Sequence, residues 1–561
     1  MAKLRSNFEI GTSAWAVRRA QWRALGLTDA DMEKPKIAVV NSSSELAICF
    51  SHLDGVAEVV KTAIQKAGGL PFEIRTTAPS DFIHTAGRRG TYILPARDLI
   101  VNDIEVQVEG ALLDGMIVLA SCDKTAPGQL MAAARLNIPT IVVICGYQPS
   151  GMLNNKHVDI EDVFLHAGYH VAGKLSLEEL TAMSENAIKG PGVCSGMGTA
   201  NSMHIVCEAL GMTLPGAAPV LANSPRMFDF ARRSGERIVQ MIWDDIRPRD
   251  ILTKSAFVNA AKVTLSLAAS INTVKHLQGI ATEAGCDVDV LKAFEENAET
   301  IPFLTAVRPI GETSIEGLEA AGGAHSLMKR LEPLLDTSAR TVSGGTLADD
   351  LRDATIPDEA TIPPLDQPLS HRPGIVVVRG TLAPDGAIIK MGLRYDRALQ
   401  FRGPSKVYSY ADQAIAAMKR GEIVSGDVIL LSGIGVRGAP GMGMASRLVF
   451  ALEGAGLDVA VVTDGQLSGL VNKGLVVGEV TPEAVTGGPL GLVREGDIIS
   501  IDIETRKVDL EISADEFARR RAAFTPPPEA TDHSWTSIYQ RSVRPLSVGA
   551  TLVGEAPADK P

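Results

Sequence analysis

The apolar run "IVLAS" ends in a thiol, a carboxylate and an amine on consecutive residues, Cys122, Asp123 and Lys124. Apolar runs ordinarily close on Gly, Asn or Ser, which turn the chain at little cost. Here each closing group can bind a metal or move a proton. The plain alternative is a loop whose Asp and Lys face water while the Cys packs beneath. Two more cysteines lie in loops with polar or glycine neighbours, Cys49 in "ELAICFSHL" and Cys194 in "GPGVCSGMGTANS". Three thiolates leave a bound metal one open position, which suits catalysis more than structure. Soft thiolates favour zinc or iron–sulfur, whereas carboxylates such as Asp81 and Asp123 favour Mg²⁺, so the pattern suggests two metals of different hardness. "VVTDGQLSG" sets Asp464 and Ser468 just after a strand, as either a turn or an activated serine. His52 and His84 read as packing residues near these loops. Arg88-Arg89 reads as a substrate-anion contact or a solvated loop. Cys145, Cys207 and Cys286 read as buried structural thiols.

The elements that must position these groups alternate. "KPKIAVVNSS", "FEIRTTA", "MIVLAS" and "PTIVVICG" have the texture of short strands. Between them "HLDGVAEVVKTAIQKAGG", "ARDLIVNDIEVQVEGALLDG" and "PGQLMAAARLN" have helical apolar spacing. Such alternation predicts a parallel sheet covered by helices. Ligands in open parallel sheets gather beyond the carboxyl ends of the strands. The loops carrying Cys49, Asp81 and Cys122-Asp123-Lys124 should therefore meet at one edge. The glycine-rich loop around Cys194 precedes a helix read from "MHIVCEALGM", and no G-K-[ST] follows it to make a nucleotide loop.

Residues 220–350 read as mostly helical. Five prolines between Asp353 and Gly374 mark a linker. The expected division is an α/β cluster- and metal-binding domain over 1–352, the linker over 353–374, and a β-rich domain over 375–561 closing over the site. "SADE" at Ser513–Glu516 reads as a capping box opening a late helix.

Composition narrows the classes. With 561 residues, 45% apolar and 21% charged, the chain suits a soluble multidomain protein. A net charge of −12 argues against a nucleic-acid partner. No apolar run approaches the roughly 20 residues that span a bilayer, and the first residues lack a signal peptide's apolar stretch. Six cysteines without a C-x-x-C argue against a disulfide framework and for a reducing cytoplasm.

Several stretches in order, "CFSHL", "SCDKTAPGQLMAAARLNIP", "GVCSGMGTANSMHIVCEALGMTLPG", "VVRGTLAPDGAIIK" and "TDGQLSG", resemble the dihydroxy-acid and sugar-acid dehydratase family, which includes 6-phosphogluconate dehydratase. The match runs over almost the whole chain. The resemblance implies an N-terminal α/β domain joined to a β-rich swivel-type domain, in a homodimer or homotetramer. It implies an iron–sulfur cluster on Cys49, Cys122 and Cys194, 2Fe–2S in preference to 4Fe–4S, although three cysteines can hold either. It also implies Mg²⁺ near Asp81, Asp123 and Lys124, with Lys124 carbamylated. Ser468, as an alkoxide, would take the C2 proton of a hydroxy-acid substrate, with the metals supplying Lewis acidity around it.

The second half departs from the family pattern. Met444 stands where members supply a further Glu to Mg²⁺, Gln466 replaces Arg, and Thr381 replaces Asn. A thioether is a soft neutral ligand poorly matched to Mg²⁺, so weaker retention is expected. The expected activity is dehydration of a 2,3-dihydroxy acid, with a sugar acid (aldonate) ranked above the dihydroxy acid of branched-chain amino acid synthesis. A divergent paralogue with another lyase, isomerase or binding role, and a non-catalytic iron–sulfur or redox-sensing protein, are the rival readings.

Overall fold

The computed structural model describes residues 4–392, 399–441, 444–469, 473–528 and 531–553, without the Met444 side chain. Four parallel strands form the first sheet: β1 (Lys36–Asn41), β2 (Leu70–Arg75), β3 (Gly115–Ala120) and β4 (Thr140–Ile144). Their order is β2-β1-β3-β4. Every residue of β1, β3 and β4 is buried, which is why they read as unbroken apolar runs. Helices Leu53–Lys66 and Pro225–Asp244 pack together as one covering layer. Ile93–Val108, Thr125–Leu136 and Asn272–Ala284 form another. Because β1 is followed by β2 on one side and β3 lies on the other, the order reverses between β1 and β3. The loops leaving those two strands flank the crevice where α/β sheets bind ligands.

A short antiparallel hairpin, β5 (Gly151–Leu153) with β6 (Lys156–Val158), and the helices Ile160–Val171 and Leu177–Asn186 follow. Helices then dominate from Pro225 to Leu351, as the sequence suggested. The Pro-rich stretch 353–374 contains no helix or strand. It is nevertheless laid against the first unit: Ile362 is buried and Thr305 Oγ1 donates to the Thr361 carbonyl at 2.8 Å.

The second sheet has eight strands: β7 (Ile375–Val378), β8 (Gly386–Lys390), β9 (Gln400–Tyr408), β10 (Val428–Leu431), β11 (Ala460–Thr463), β12 (Leu475–Thr481), β13 (Ile498–Asp502) and β14 (Lys507–Leu510). Their order is β14-β13-β9-β10-β11-β12-β8-β7. The four central strands are parallel, and antiparallel pairs flank them on both sides. The helix Met444–Ala455 crosses from this unit onto Ile160–Val171 of the first. The approach is close enough that a Cβ on Gly168 would lie 2.6 Å from the Phe450 backbone. Beside it Phe164 meets the Phe450 ring edge-on at 5.1 Å, a pair worth about 0.5–1.5 kcal/mol beyond its buried area.

The segment after residue 531 returns to the first unit. Trp535 Nε1 donates to the Pro95 carbonyl at 3.2 Å, and buried Arg97 donates to the Ala550 carbonyl at 2.7 Å. Only half of the expected box at Ser513 forms. Ser513 Oγ accepts from the Glu516 amide, but the Glu516 side chain turns to Arg519 and Arg520, where two guanidinium groups compete for it. Among the described residues no helix is long and apolar enough to cross a membrane.

Candidate active site

Three loops are tied to one another through their backbones. Ser121 Oγ donates to the Cys49 carbonyl at 2.5 Å, joining the loop after β3 to the loop after β1. Asn201 Nδ2 donates to the carbonyls of Cys194 (2.7 Å) and Gly196 (2.8 Å), fixing the third loop from the helix Thr199–Ala209. That helix starts four residues before the one read from "MHIV", because Gly198 supplies its N-cap. His204, on the same helix, sits 3.0 Å from the Ser121 carbonyl. Burial lowers its pKa to about 4, so the neutral ring donates through Nε2. Thr125 Oγ1 and the Thr125 amide both donate to the Cys122 carbonyl. With their carbonyls spent in this way, the three cysteines are held with fixed backbones.

All six cysteines are unpaired. The Cys122 thiol is pushed up first by its hydrogen bond with Cys49 and then by burial; Cys194 is pushed up by burial and then by Asp123. Buried thiols beside carboxylates lose their protons only when a cation compensates, which a metal centre does. Among the described residues, the one His/Cys/Asp/Glu set with all donor atoms within 4.8 Å of one another is His157, Asp159 and Asp162. The three cysteine sulfurs therefore do not all lie within that distance of one another. The His157 set already has its cation: Arg308 donates to Asp162 at 2.9 Å, while Asp159 and Asp162 form a capping box.

Asp81, Asp123 and Lys124 also come together. Lys124 is fully buried, its Nζ 3.1 Å from Asp81 and 3.9 Å from Asp123. Asp123 is pushed up to about 7 by burial and by Asp81, with which it shares a hydrogen bond; Thr199 hydrogen-bonds it and acts the other way. Two carboxylates crowded in this way are short of positive charge, and a divalent cation fits that deficit. As an ammonium, Lys124 supplies only one charge to the pair. As a carbamate it would add anionic oxygen to the donor set.

A cavity of about 290 Å³ joins these groups to the second unit. Asp81, Cys122, Asp123 and Cys194 line one side and Ser468, Gly469 and Arg447 another; Phe82, Ala86, Phe164 and Ala200 share the rest with Thr85, Thr199, Asn201 and two glycines. Ser468 follows β11, and its amide donates to Ser446 Oγ at 3.2 Å. Asp464 is spent on the loop itself, accepting from the amides of Gly433, Ile434 and Ala484. A Cβ on Gly469 would lie 2.3 Å from Ser270 Oγ, so glycine alone lets this loop enter the first unit. Lys390 Nζ donates to the Gly469 carbonyl at 2.7 Å, and burial lowers that lysine to about 8. Below about 8 an ammonium thus stands one residue from Ser468.

The remaining candidates fall outside the cavity. His52 pairs with the Cys145 carbonyl at 2.7 Å and His84 with Ser80. Arg88 and Arg89 lie along a neighbouring cavity. Cys145, Cys207 and Cys286 line neither. Thr381 N donates to Asp509 at 2.7 Å, joining the chain before β8 to β14. The Met444 side chain lies outside the described residues.

Sequence reasoning missed the buried charges. Lys275 pairs with Glu479 across the two units, each almost without exposure, and also donates to Asn272. Asn272 Nδ2 donates to Thr199 Oγ1 at 2.8 Å, so a chain of hydrogen bonds runs from Glu479 to Thr199, whose hydroxyl acts on Asp123. A lysine inside the apolar stretch "ASINTVKHLQGIA" was the available signal.

Residues 34–350 match the dihydroxy-acid/6-phosphogluconate dehydratase N-terminal family and residues 360–550 its C-terminal counterpart. The chain is similar to a dihydroxy-acid dehydratase of Methanococcoides burtonii, 39% identical over 96% of this chain and 98% of that one. It is 40% identical to a dihydroxy-acid dehydratase of Acetivibrio thermocellus over 96% of this chain and 97% of the relative. The dihydroxy-acid dehydratase of Caldicellulosiruptor saccharolyticus is 39% identical, with 96% and 98% covered.

Proposed function

Since the chain belongs to the dihydroxy-acid/6-phosphogluconate dehydratase family and is a hydro-lyase, we propose that it converts a 2,3-dihydroxy acid with a short apolar tail into the 2-keto acid. The observation that carries this reading is the single cavity lined by Cys122, Cys194, Asp81 and Asp123 on one side and by Ser468 on the other. Cys49, Cys122 and Cys194 would hold an iron–sulfur cluster, and Asp81, Asp123 and Lys124 would hold Mg²⁺. When bound, these groups supply Lewis acidity to the departing C3 hydroxyl and to the charge that develops at C2.

Ser468 takes the C2 proton, the C3–O bond breaks, and the oxygen leaves as water after gaining a proton. The enol left behind tautomerises to the keto acid. Lys390 holds the Gly469 carbonyl and so fixes the loop that presents Ser468. The packing of Phe164 and Phe82 beside the cavity keeps bulk water from that wall.

The relatives' names support the dihydroxy acid over the aldonate that the second-half departures had favoured. The apolar part of the wall, Phe82, Ala86, Phe164 and Ala200, suits a short apolar tail, while Thr85, Thr199 and Asn201 supply its polar part. Arg447 is the charged lining residue that would favour an aldonate, and it is paired with Asp412 at 3.2 Å.

The test is keto-acid detection with anaerobically purified holoprotein on 2,3-dihydroxy-3-methylbutanoate and a panel of aldonates. We expect turnover of the branched acid, lowered about 10²–10⁴-fold in Ser468→Ala with the cluster spectrum unchanged. Preference for an aldonate would reverse the substrate assignment. An intact cluster with no elimination on any of these acids would overturn the proposal, and full activity of Ser468→Ala would remove Ser468 from it.

A further inference from the structure

Beyond the loop that carries Ser468 lies a second cavity, of about 500 Å³, walled by Arg88, Arg89, Tyr410, Gln466 and Asp532 among others. It shares no lining residue with the first. Gln466 is 1% exposed, and among the described residues neither its amide nitrogen nor its amide oxygen has a partner. A buried amide unpaired at both ends is costly to keep unless something in the cavity satisfies it.

The charges are unequal. Asp532 is engaged by Arg88 at 2.8 Å and by the hydroxyls of Ser534 and Ser537. Arg89 makes no ion pair among the described residues; its guanidinium lies 4.0 Å over the Tyr410 ring. An arginine whose face is covered by an aromatic ring keeps its N–H edge for an anion. Among the described residues no carboxylate other than Asp532 lines the cavity, so one positive charge is left over.

The wall thus offers a cation, a donor (Gln466 Nε2) and an acceptor (Gln466 Oε1). A carboxylate uses the first two. The third requires an O–H or N–H beside that carboxylate. We propose that this cavity binds a small carboxylate bearing a hydroxyl or ammonium on its α-carbon. The proposal stands on these residues alone and does not depend on the substrate assigned to the first cavity. Gln466 is two residues from Ser468, so an occupant would rest against the loop that presents the serine.

Calorimetric titration of the holoprotein with glycolate, glycine, acetate and inorganic phosphate tests this. Glycolate or glycine should bind at least about tenfold more tightly than acetate or phosphate, and the stronger of the two identifies hydroxyl or ammonium as the partner of Gln466 Oε1. Arg89→Ala, at an exposed position, and Gln466→Leu should each weaken that binding about tenfold or more. Glycolate bound at the first cavity would be insensitive to Arg89→Ala. Unchanged affinity in Arg89→Ala would therefore overturn the proposal, even if Gln466→Leu failed to fold. Acetate or phosphate binding as tightly as glycolate and glycine would overturn it too, because Gln466 would then have no part in recognition.

Discussion

Replacing Thr199 with valine should weaken the acidic site without touching a metal ligand. Thr199 Oγ1 is bonded to Asn272 Nδ2 at 2.8 Å and Ser270 Oγ at 2.9 Å, and its hydroxyl favours the charged form of the neighbouring Asp123. Asn272 is oriented by Lys275, which donates to its oxygen, so its nitrogen must donate to Thr199. Ser270 Oγ already accepts from the Asn272 amide at 3.2 Å and has its own proton for Thr199. The single proton of Thr199 is then free for Asp123. Valine keeps the shape and removes that hydrogen bond to a charged group, worth about 1.5–3 kcal/mol. At 1.4 kcal/mol per factor of ten, the loss is roughly 10- to 150-fold, similar to the cost of removing an outer partner of a metal ligand. The assay is Mg²⁺ titration of keto-acid formation by the anaerobic holoprotein, with Thr199→Ser as control. Serine should stay within about threefold of the parent, since it keeps the hydroxyl. Valine with the parent's Mg²⁺ dependence would refute the hydrogen-bond argument, and serine as impaired as valine would assign the effect to the lost methyl group.

Three further outcomes follow from the site and its surroundings. Cys49→Ser, Cys122→Ser and Cys194→Ser should each bleach the cluster absorption, while Cys145→Ser, Cys207→Ser and Cys286→Ser should retain it; any exchange between the groups shows that the ligands are misassigned. Met444→Glu should raise Mg²⁺ content by adding a hard anionic ligand, and unchanged metal content would mean that the chain holds its cation another way. Glu483 is raised from 4.5 to about 7 by burial and by Asp464. The folded protein holds this proton between those values while the unfolded chain releases it, so this group's stabilisation is full below pH 4.5 and is lost as pH rises through about 7. Glu483→Gln should therefore lose less melting temperature than the parent between about pH 5 and about pH 8, and equal losses would contradict the assignment.

What could be read from the sequence was what burial writes into consecutive residues. Strands β1, β3 and β4 are covered on both faces, so their apolar runs are continuous and the loops at their ends stand out. Cys49, Cys122 and Asp81 stood out as candidates because parallel strands deliver their loops to one edge, and Cys194 because of the glycines around it. The stretch 150–186 went unread because its hairpin is three residues a side and its helices are half-buried, leaving little apolar period. Strand β9 was read only from Lys406 onward, since Gly403 and Pro404 interrupt its first half. Thr199 and Lys390 carry no local mark, because each matters only through partners that lie more than 70 residues away in the chain. The preference for an aldonate rested on second-half departures, and position by position these do not reveal the size or polarity of the cavity they help to enclose.

The Lys275–Glu479 pair also bears on recombination between relatives. One partner belongs to the cysteine-bearing half and the other to a bulged position on β12 in the closing half. A hybrid built from this N-terminal half and a C-terminal half lacking the acid would leave an ammonium sealed in the seam. The converse hybrid would strand a carboxylate there. Removing one member of a buried pair costs about 3–5 kcal/mol, whereas exchanging both for well-packed apolar groups is often harmless. Productive crossovers near the linker are thus confined to parents that agree at two positions 204 residues apart, and compatibility at that pair forecasts which hybrids fold better than overall similarity does.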